Sequence, residues 1–153
     1  MQRFERIYKD AKLPTRKTAR SAGYDMYCYR DTEIPPVYSL KDGQVRISLT
    51  PTLVSLGVKA RLESDKFLLM APRSSLCKRN LALGNAVGVI DADYFGNKTN
   101  DGEIFAAVIN LGDKPVVLKA GERIVQGIIS SYDKVDYDDT TDERAGGFGS
   151  TGN

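Results

Sequence analysis

The sequence predicts an all-β sandwich or barrel, and three observations lead to that prediction. Apolar residues alternate with polar ones over many short runs, as expected where a strand buries only one of its faces. Turn-forming sequences rich in Gly, Asp, Asn and Pro separate these runs about every ten residues. Only residues 74–83 have a helical pattern. The 153 residues are enough for one domain with its own core.

The individual strands can be followed in chain order. The run "QVRISL" places Val45, Ile47 and Leu49 on one face, and "SLGVKARL" repeats the alternation. Further β-rich runs are "KFLLMA", "GVID", "EIFAAVINL", "KPVVLKAG" and "RIVQGIISSY". In "SSLCKRNLAL" we expect one short helix of about two turns, with Ser74 or Ser75 as its N-cap residue.

The composition changes after residue 130. Six acidic residues fall between Asp133 and Glu143, and a glycine-rich end follows them. We therefore expect residues 1–130 to form a β core, and residues 131–153 to form a C-terminal arm that ends in a flexible, glycine-rich tail.

Charge and hydropathy exclude several classes of partner. A net charge of +2 with dispersed basic residues gives no reason to expect nucleic acid. The first ten residues carry five charges and do not resemble a signal peptide, and no apolar run approaches the roughly 20 residues of a membrane helix. Cys28 and Cys77 lie far apart, as expected of reduced thiols. These features predict a cytoplasmic protein that does not bind membranes.

The absence of histidine restricts the chemistry further. It excludes Ser-His and Cys-His nucleophilic sites, and with two distant cysteines it excludes an ordinary zinc site. A catalytic base would then be a carboxylate, and a metal would be a hard ion held by oxygen, such as Mg²⁺.

The stretch "GNAVGVIDADYFG" contains a candidate catalytic base. An apolar run leads directly into Asp91, and Asp91 and Asp93 share a face if the strand continues. Apolar surroundings tend to raise the pKa of a carboxylate, which suits a general base. The alternative is a turn at the end of a strand, where Asp is common.

Three other stretches contain polar residues in suggestive positions. In "APRSSL", Arg73 with the hydroxyls of Ser74 and Ser75 could bind an anion, or could be a helix cap with a surface arginine. In "SAGYDMYC", Asp25 could ligate a metal or close a turn. In "AGERIVQGI", Arg123 and Gln126 read most simply as an outward-facing pair on an exposed strand.

The glycine-rich tail "GGFGSTG" lacks the spacing and the lysine of a P-loop. Its glycines would nevertheless let backbone N–H groups reach phosphate oxygens, and Ser150 and Thr151 add donors. Phe148 could stack on a nucleobase. The alternative is a flexible tail with an incidental aromatic residue.

Taken in order, "AGYDM", "PRSSL", "NAVGVIDADYFG", "GERIVQGI" and "GGFGSTG" resemble the five sequence motifs of the trimeric dUTPase family, from Ala22 to Gly152. The resemblance implies a β jelly-roll subunit and a homotrimer with active sites at subunit junctions. It also implies Mg²⁺-dependent hydrolysis of dUTP to dUMP and pyrophosphate, which keeps uracil out of DNA and supplies dUMP for dTMP synthesis.

The resemblance also assigns roles to residues. Asp91 resembles the base that orients the attacking water, and Tyr94 resembles the ring under the deoxyribose. Asp25 resembles the carboxylate that holds Mg²⁺ through water. The residues that resemble uracil readers are Asn85, Gly88, Val89 and Ile90. The residues that resemble phosphate contacts are Arg73, Ser74, Ser75, Gln126, Gly149, Ser150 and Thr151, and Phe148 resembles the ring that covers uracil.

Two departures from the family pattern stand out. The family's last motif has an arginine five residues before the phenylalanine, whereas here Arg144 stands four residues before it and is expected to be the catalytic arginine. The stretch after Gly96, "NKTNDGE", is longer than the tight hairpin expected there. Three readings compete with a dUTPase. They are a dCTP deaminase, a module that docks a protein partner through Asn97–Glu103, and a purely structural jelly roll.

Overall fold

The alternating runs form thirteen strands within residues 1–142 and 144, the part of the chain that this computed structural model describes. The strands are β1 (Arg3–Arg6), β2 (Tyr24–Tyr27), β3 (Thr32–Ile34), β4 (Tyr38–Lys41), β5 (Gln44–Ile47), β6 (Thr52–Ser55), β7 (Val58–Arg61), β8 (Lys66–Pro72), β9 (Leu81–Leu83), β10 (Gly88–Asp91), β11 (Phe105–Asn110), β12 (Val116–Leu118) and β13 (Arg123–Ser131). One helix, α1 (Ser74–Cys77), and a 3₁₀ turn at Ala92–Tyr94 complete the elements.

Two sheets provide most of the core. One has the strand order β10-β8-β13-β2 and the other has the order β6-β11-β9. Buried side chains of both sheets belong to a single apolar cluster, which includes Met26, Leu68 and Met70 from the first and Val54, Ala106 and Val108 from the second. The predicted all-β sandwich of the jelly-roll class is therefore confirmed. The pairs β1-β7, β3-β12 and β4-β5 complete the fold.

The outer face of the four-stranded sheet positions the site residues. Leu68 and Met70 of β8 point into the core, so Phe67, Leu69 and Ala71 point outward. Directly paired residues of neighbouring strands share a face. The register therefore adds five further residues to the outer face: Val89 and Asp91 of β10, Gln126 and Ile128 of β13, and Asp25 of β2.

The β4-β5 hairpin has an apolar face that the sandwich does not cover. Val45 and Ile47 share this face, as predicted, because they pair with Leu40 and Tyr38. Val45 is 66% exposed and Ile47 is 72% exposed, because the hairpin pairs only with itself and joins neither large sheet. The alternation predicts a shared face but not what covers it.

The predicted helix is shorter than expected. α1 is a single turn, and the last three residues of the predicted stretch form β9 instead. The N-cap residue is Arg73, so Ser74 and Ser75 lie inside the helix and the prediction of a serine cap is wrong. A leucine-rich segment ends as a strand here because Leu81 and Leu83 are buried against β11.

Residues 132–142 contain no strand or helix, and the side chains of Val135 and Tyr137 are exposed. Within residues 1–142 and 144, no helix has the length and apolar character that crossing a bilayer requires.

Gly102 provides a test of the loop between the 3₁₀ turn and β11. Its φ is +83°, and a Cβ there would lie 2.7 Å from the carbonyl oxygen of Tyr94. Gly121 has a similar φ of +79° but open space around it. We expect Gly102→Ala to lower the free energy of unfolding by about 1–3 kcal/mol more than Gly121→Ala, because only the first also creates a clash. Urea denaturation of both variants measures the difference, and equal losses would contradict the packing described here.

Candidate active site

Three charged side chains, Asp25, Arg73 and Arg123, form what we call the arginine cluster. Asp25 lies on β2, Arg123 on the neighbouring β13, and Arg73 directly after β8. One carboxylate oxygen of Asp25 accepts a hydrogen bond from Nη1 of Arg73, and the other accepts one from Nη1 of Arg123 at 3.1 Å. Asp25 is only 7% exposed. Burying this carboxylate alone would be costly, and the two guanidinium groups offset that cost.

A β-bulge in β13 brings Arg123 into this cluster. The two-residue step along β13 from Arg123 to Val125 corresponds to a step of only one residue along β2. In a regular strand Arg123 and Gln126 would point to opposite faces, because they are three residues apart. The extra residue reverses the alternation. Both side chains therefore lie on the outer face, where Gln126 is directly opposite Asp25.

The arginine cluster has the properties of an anion site. Two guanidinium groups and one carboxylate leave a net positive charge, and burial, followed by the charge of Arg123, lowers the pKa of Arg73. Ser74 is exposed beside Arg73. The hydroxyl oxygen of Ser75 is buried and has no hydrogen-bond partner among the described residues. An unpaired buried hydroxyl costs about 1–3 kcal/mol, which a ligand oxygen would relieve.

A second group, Asp91, Asp93 and Arg144, forms what we call the aspartate cluster. Nη2 of Arg144 donates to Asp91 at 2.6 Å, and Nε of Arg144 donates to Asp93 at 2.8 Å. The carboxylates of Asp91 and Asp93 contact the same arginine, although the strand does not continue through Asp93. β10 ends at Asp91, and Asp93 lies in the following 3₁₀ turn. Arg144 is thus placed beside the predicted base.

The buried ring of Tyr94 lies beside Arg144 of the aspartate cluster. Its side chain is 6% exposed, and its ring centroid lies 5.8 Å from Cζ of Arg144. The hydroxyl donates to the backbone oxygen of Glu103 and accepts from Nδ2 of Asn100, each at 2.8 Å. Burial raises the pKa of Tyr94. The ring is thus anchored at its far end, with one face directed toward Arg144.

Of the predicted uracil readers, Asn85 lies in the connection between β9 and β10, and Gly88, Val89 and Ile90 lie in β10 itself. Because β9 and β10 belong to different sheets, Asn85 sits in a turn between sheets. Asn85 and Val89 are exposed, whereas Gly88 and Ile90 are buried. A Cβ on Gly88 would lie 2.8 Å from Cε of Met70, so a larger residue here would make the end of the Met70 side chain shift.

An open cavity of about 800 Å³ lies beside the aspartate cluster. Phe67, Val89 and Tyr132 provide apolar walls, and Asp91 and Asp93 stand at its polar side. A planar apolar group with a polar end would fit such a mixed lining.

The two clusters lie at opposite ends of the outer face. Asp91 pairs with Phe67 at one end of β8, whereas Gln126, opposite Asp25, pairs with Ala71 near the other end. Asp91 and Asp25 also occupy the two edge strands of this sheet. Their Cα atoms are four residues apart along the strand direction and three strand spacings apart across the sheet. Together these offsets give a separation of about 20 Å.

Sequence reasoning identified most of these positions and missed two. Arg123 was read as an outward-facing residue of an exposed strand, but it is ion-paired on an inner strand, and the bulge that explains this has no sequence signal. Asn100 was not singled out at all. The cluster of Asn and Asp residues around it was the available signal. The predicted contacts at Phe148, Gly149, Ser150 and Thr151 lie outside the described residues.

Asp25 provides a test of the arginine cluster. We expect Asp25→Asn to lower the free energy of unfolding by about 2 kcal/mol, less than a fully buried ion pair because both arginines can still be hydrated. Glu5 is a matched control, because it also lies between two arginines, Arg3 and Arg61, but on the surface. Glu5→Gln should cost clearly less in the same urea titration. Similar losses for the two variants would contradict the burial of Asp25.

Comparisons of sequence and of structure with known proteins give the same family. The dUTPase family profile matches residues 9–152. The deoxyuridine 5′-triphosphate nucleotidohydrolase of Lactococcus lactis is 39% identical over 150 residues, which cover 95% of this chain and 92% of that protein. The enzyme of the same name from Dictyoglomus turgidum is 34% identical, covering 97% and 95%. The crystal structure of dUTPase from Streptococcus mutans has a TM-score of 0.75 at 40% identity, covering 88% of this chain and 98% of that one. The chain therefore belongs to the dUTPase family.

Proposed function

We propose that this protein hydrolyses dUTP to dUMP and pyrophosphate by attack of water on the α-phosphorus, with Asp91 as the general base. The observation that carries this proposal is the position of Asp91 at the end of β10, directly after the buried Ile90, and beside an open cavity. Family membership supports the substrate. The activity would keep uracil out of DNA and supply dUMP for dTMP synthesis.

The reaction requires a general base. Because the chain has no histidine, we assign this role to a carboxylate. Asp91 is half-buried and reaches the cavity, so a water molecule held against it would be oriented and would lose a proton to it during attack. Pyrophosphate is then the leaving group. Most of the rate enhancement would come from positioning this water and from stabilising charge on the phosphates.

The nucleoside end would bind in the cavity. The backbone of Gly88, Val89 and Ile90, with Asn85 in the preceding turn, would read the polar edge of uracil. A strand edge suits this task because uracil presents an unchanging pattern of donors and acceptors. Tyr94 would lie under the deoxyribose and leave no space for a 2′-hydroxyl. Its burial and its anchored hydroxyl support that role.

The triphosphate would bind to the arginine cluster, with Arg73, Ser74, Ser75 and Gln126 as contacts. The net positive charge of the cluster and the unpaired hydroxyl of Ser75 support this assignment. We add Arg123, because the bulge places it on the same face as Gln126. Guanidinium groups are well suited to phosphate because they donate paired, parallel hydrogen bonds.

Mg²⁺ would be held mainly by the triphosphate itself. No group of three or more Asp, Glu, Cys or His side chains is placed to hold a metal within residues 1–142 and 144. Mg²⁺ in nucleotide enzymes commonly uses one or two carboxylates together with phosphate oxygens and waters. Each oxygen of Asp25 accepts one arginine donor and keeps a free lone pair. Asp25 therefore fits a contact through water, and the ion would neutralise charge on the leaving pyrophosphate.

Arg144 would act as the catalytic arginine of the C-terminal segment. In the described arrangement it forms ion pairs with both Asp91 and Asp93. In our proposal it exchanges these carboxylates for phosphate oxygens when nucleotide binds, and Phe148 then covers uracil while Gly149, Ser150 and Thr151 contact the γ-phosphate. The exchange would free Asp91 to accept a proton from water.

The distance between the clusters supports a site shared between subunits. The attacking water must lie within about 3.5 Å of the α-phosphorus, whereas Asp91 and Asp25 of one chain are about 20 Å apart on the sheet. A nucleotide held at Asp91 would therefore have to span most of the outer face to reach the arginine cluster of the same chain. A homotrimer in which a neighbouring chain supplies the arginine cluster would complete each site. Val89, 58% exposed between the clusters, belongs to an apolar surface that such packing would cover.

The substrate assignment predicts a specific pattern of pyrophosphate release. With Mg²⁺ present, we expect release from dUTP to exceed release from dTTP, dCTP and UTP by at least about 100-fold in kcat/KM. Chelation of Mg²⁺ should reduce it strongly. Ammonia release from dCTP would instead identify a deaminase, and the absence of turnover on all four nucleotides would favour a binding module or a structural jelly roll.

The shared site predicts complementation between two inactive variants. Asp91→Asn should lower kcat by about 100- to 10,000-fold, and Arg73→Ala should lower kcat/KM by about 100-fold or more. If the two residues of one site come from different chains, co-refolding equal amounts should restore about a quarter of wild-type activity, because random mixing leaves that share of sites intact.

The matched control for complementation is a mixture of Asp91→Asn with Asp91→Ala, which damages the same group in every chain and should remain inactive. Chains with different affinity tags would verify that mixed oligomers form. Mixed oligomers of Asp91→Asn and Arg73→Ala without recovered activity would contradict a site shared between subunits.

A further inference from the structure

The hydroxyl of Tyr94 is held from two directions by one loop, residues 97–103. Nδ2 of Asn100 donates to the hydroxyl at 2.8 Å, and the hydroxyl donates to the backbone oxygen of Glu103 at 2.8 Å. Both the proton and an acceptor lone pair of the hydroxyl are therefore used. Because the hydroxyl lies at the far end of the ring from Cβ, these bonds restrain the tilt of the whole ring.

The side chain of Asn100 is itself held by the loop. Its Oδ1 accepts from Nδ2 of Asn97 at 2.7 Å and from the backbone N–H of Gly102 at 3.1 Å. Asn97 also donates to the backbone oxygen of Tyr94 at 2.9 Å. Thr99 takes part only through its backbone N–H, and its side chain is exposed. The amide of Asn100 thus has one orientation, with its nitrogen toward Tyr94.

The end of the loop is anchored in the sandwich. Glu103 is 6% exposed, and its carboxylate accepts hydrogen bonds from the hydroxyls of Ser55 and of Tyr8, the latter at 3.1 Å. Ser55 lies on β6, and Tyr8 follows β1. The acceptor for the Tyr94 hydroxyl is therefore tied to two other parts of the fold and does not move freely with the loop.

We propose that Asn100 is a positioning residue for sugar specificity, holding the Tyr94 ring at the depth that excludes a 2′-hydroxyl. This inference rests on the proposed function. The Tyr94 ring can exclude a 2′-hydroxyl sterically only if the ring cannot move away from it. Packing alone would let a ring tilt away, whereas a tether at its far end prevents this. The 97–103 loop, longer than a tight turn, supplies the tether.

The test compares kcat/KM for dUTP with kcat/KM for UTP. We expect Asn100→Ala to lower this ratio about tenfold, chiefly by raising the activity on UTP. Tyr94→Phe removes the hydrogen bond to Asn100 and also the one to Glu103, and should lower the ratio by at least the same factor. The double variant should be no worse than Tyr94→Phe alone, because Asn100 then has no hydroxyl left to hold. Thr99→Ala, in the same loop, should leave the ratio unchanged.

A purely structural role for Asn100 would lower thermal stability without changing the ratio, so an unchanged ratio in folded Asn100→Ala overturns the inference. If Asn100→Ala does not fold, an unchanged ratio in Tyr94→Phe overturns it instead. Additive losses in the double variant would also contradict a shared tether. Wild-type protein that releases no pyrophosphate from dUTP would contradict the proposed function itself, and this inference with it.

Discussion

The pairing of β8 with β13 is the constraint on which the rest of the molecule depends. It runs without interruption over seven residue pairs, from Val125 opposite Pro72 to Ser131 opposite Lys66. β10 is attached to one side of this pair and β2 to the other. Because residue spacing in a paired strand is nearly invariant, this register sets the distance between the aspartate cluster and the arginine cluster. In our proposal, a site that needs both groups is completed by another chain.

The arginine cluster depends on a single carboxylate. Two guanidinium groups repel each other when they are brought together, and burial adds to the cost of keeping Arg73 charged. Asp25 offsets both effects by accepting one hydrogen bond from each arginine. The cluster is thereby assembled before any ligand arrives and still carries net positive charge. Preorganised charge of this kind stabilises an anionic transition state without reorganising first.

The sequence predicts the strands well because their signal is local. The run that ends at Asp91 is a strand whose last residue is acidic, and both features are visible in the sequence alone. The β4-β5 hairpin is also readable as a strand pair from its alternation and its Asp-Gly turn. Whether its apolar face is covered is a tertiary property. Val45 and Ile47 have the pattern of core residues and are nevertheless exposed.

The parts of the site that could not be predicted arise from non-local geometry. The bulge that turns Arg123 toward Asp25 depends on pairing with β2, almost 100 positions earlier in the chain. The shortened helix results from the pairing of β9 with β11, which competes with the local helical pattern. The orientation of the Asn100 side chain depends on hydrogen bonds to Asn97 and Gly102 within its loop and to Tyr94 outside it. In each case the local sequence allows several conformations, and contacts with distant residues or within a compact loop select one.

The two ends of the proposed substrate place different demands on the protein. Phosphate is attracted by Coulomb forces that decline gradually with distance, so the arginine cluster tolerates movements of a few tenths of an ångström. Steric exclusion of a hydroxyl changes steeply over the same distance. The rigid hydrogen-bond network is accordingly found under Tyr94, where Asn100 and the buried Glu103 restrain the ring. The half-exposed arginines, with one hydrogen bond each to Asp25, are found where charge alone is sufficient.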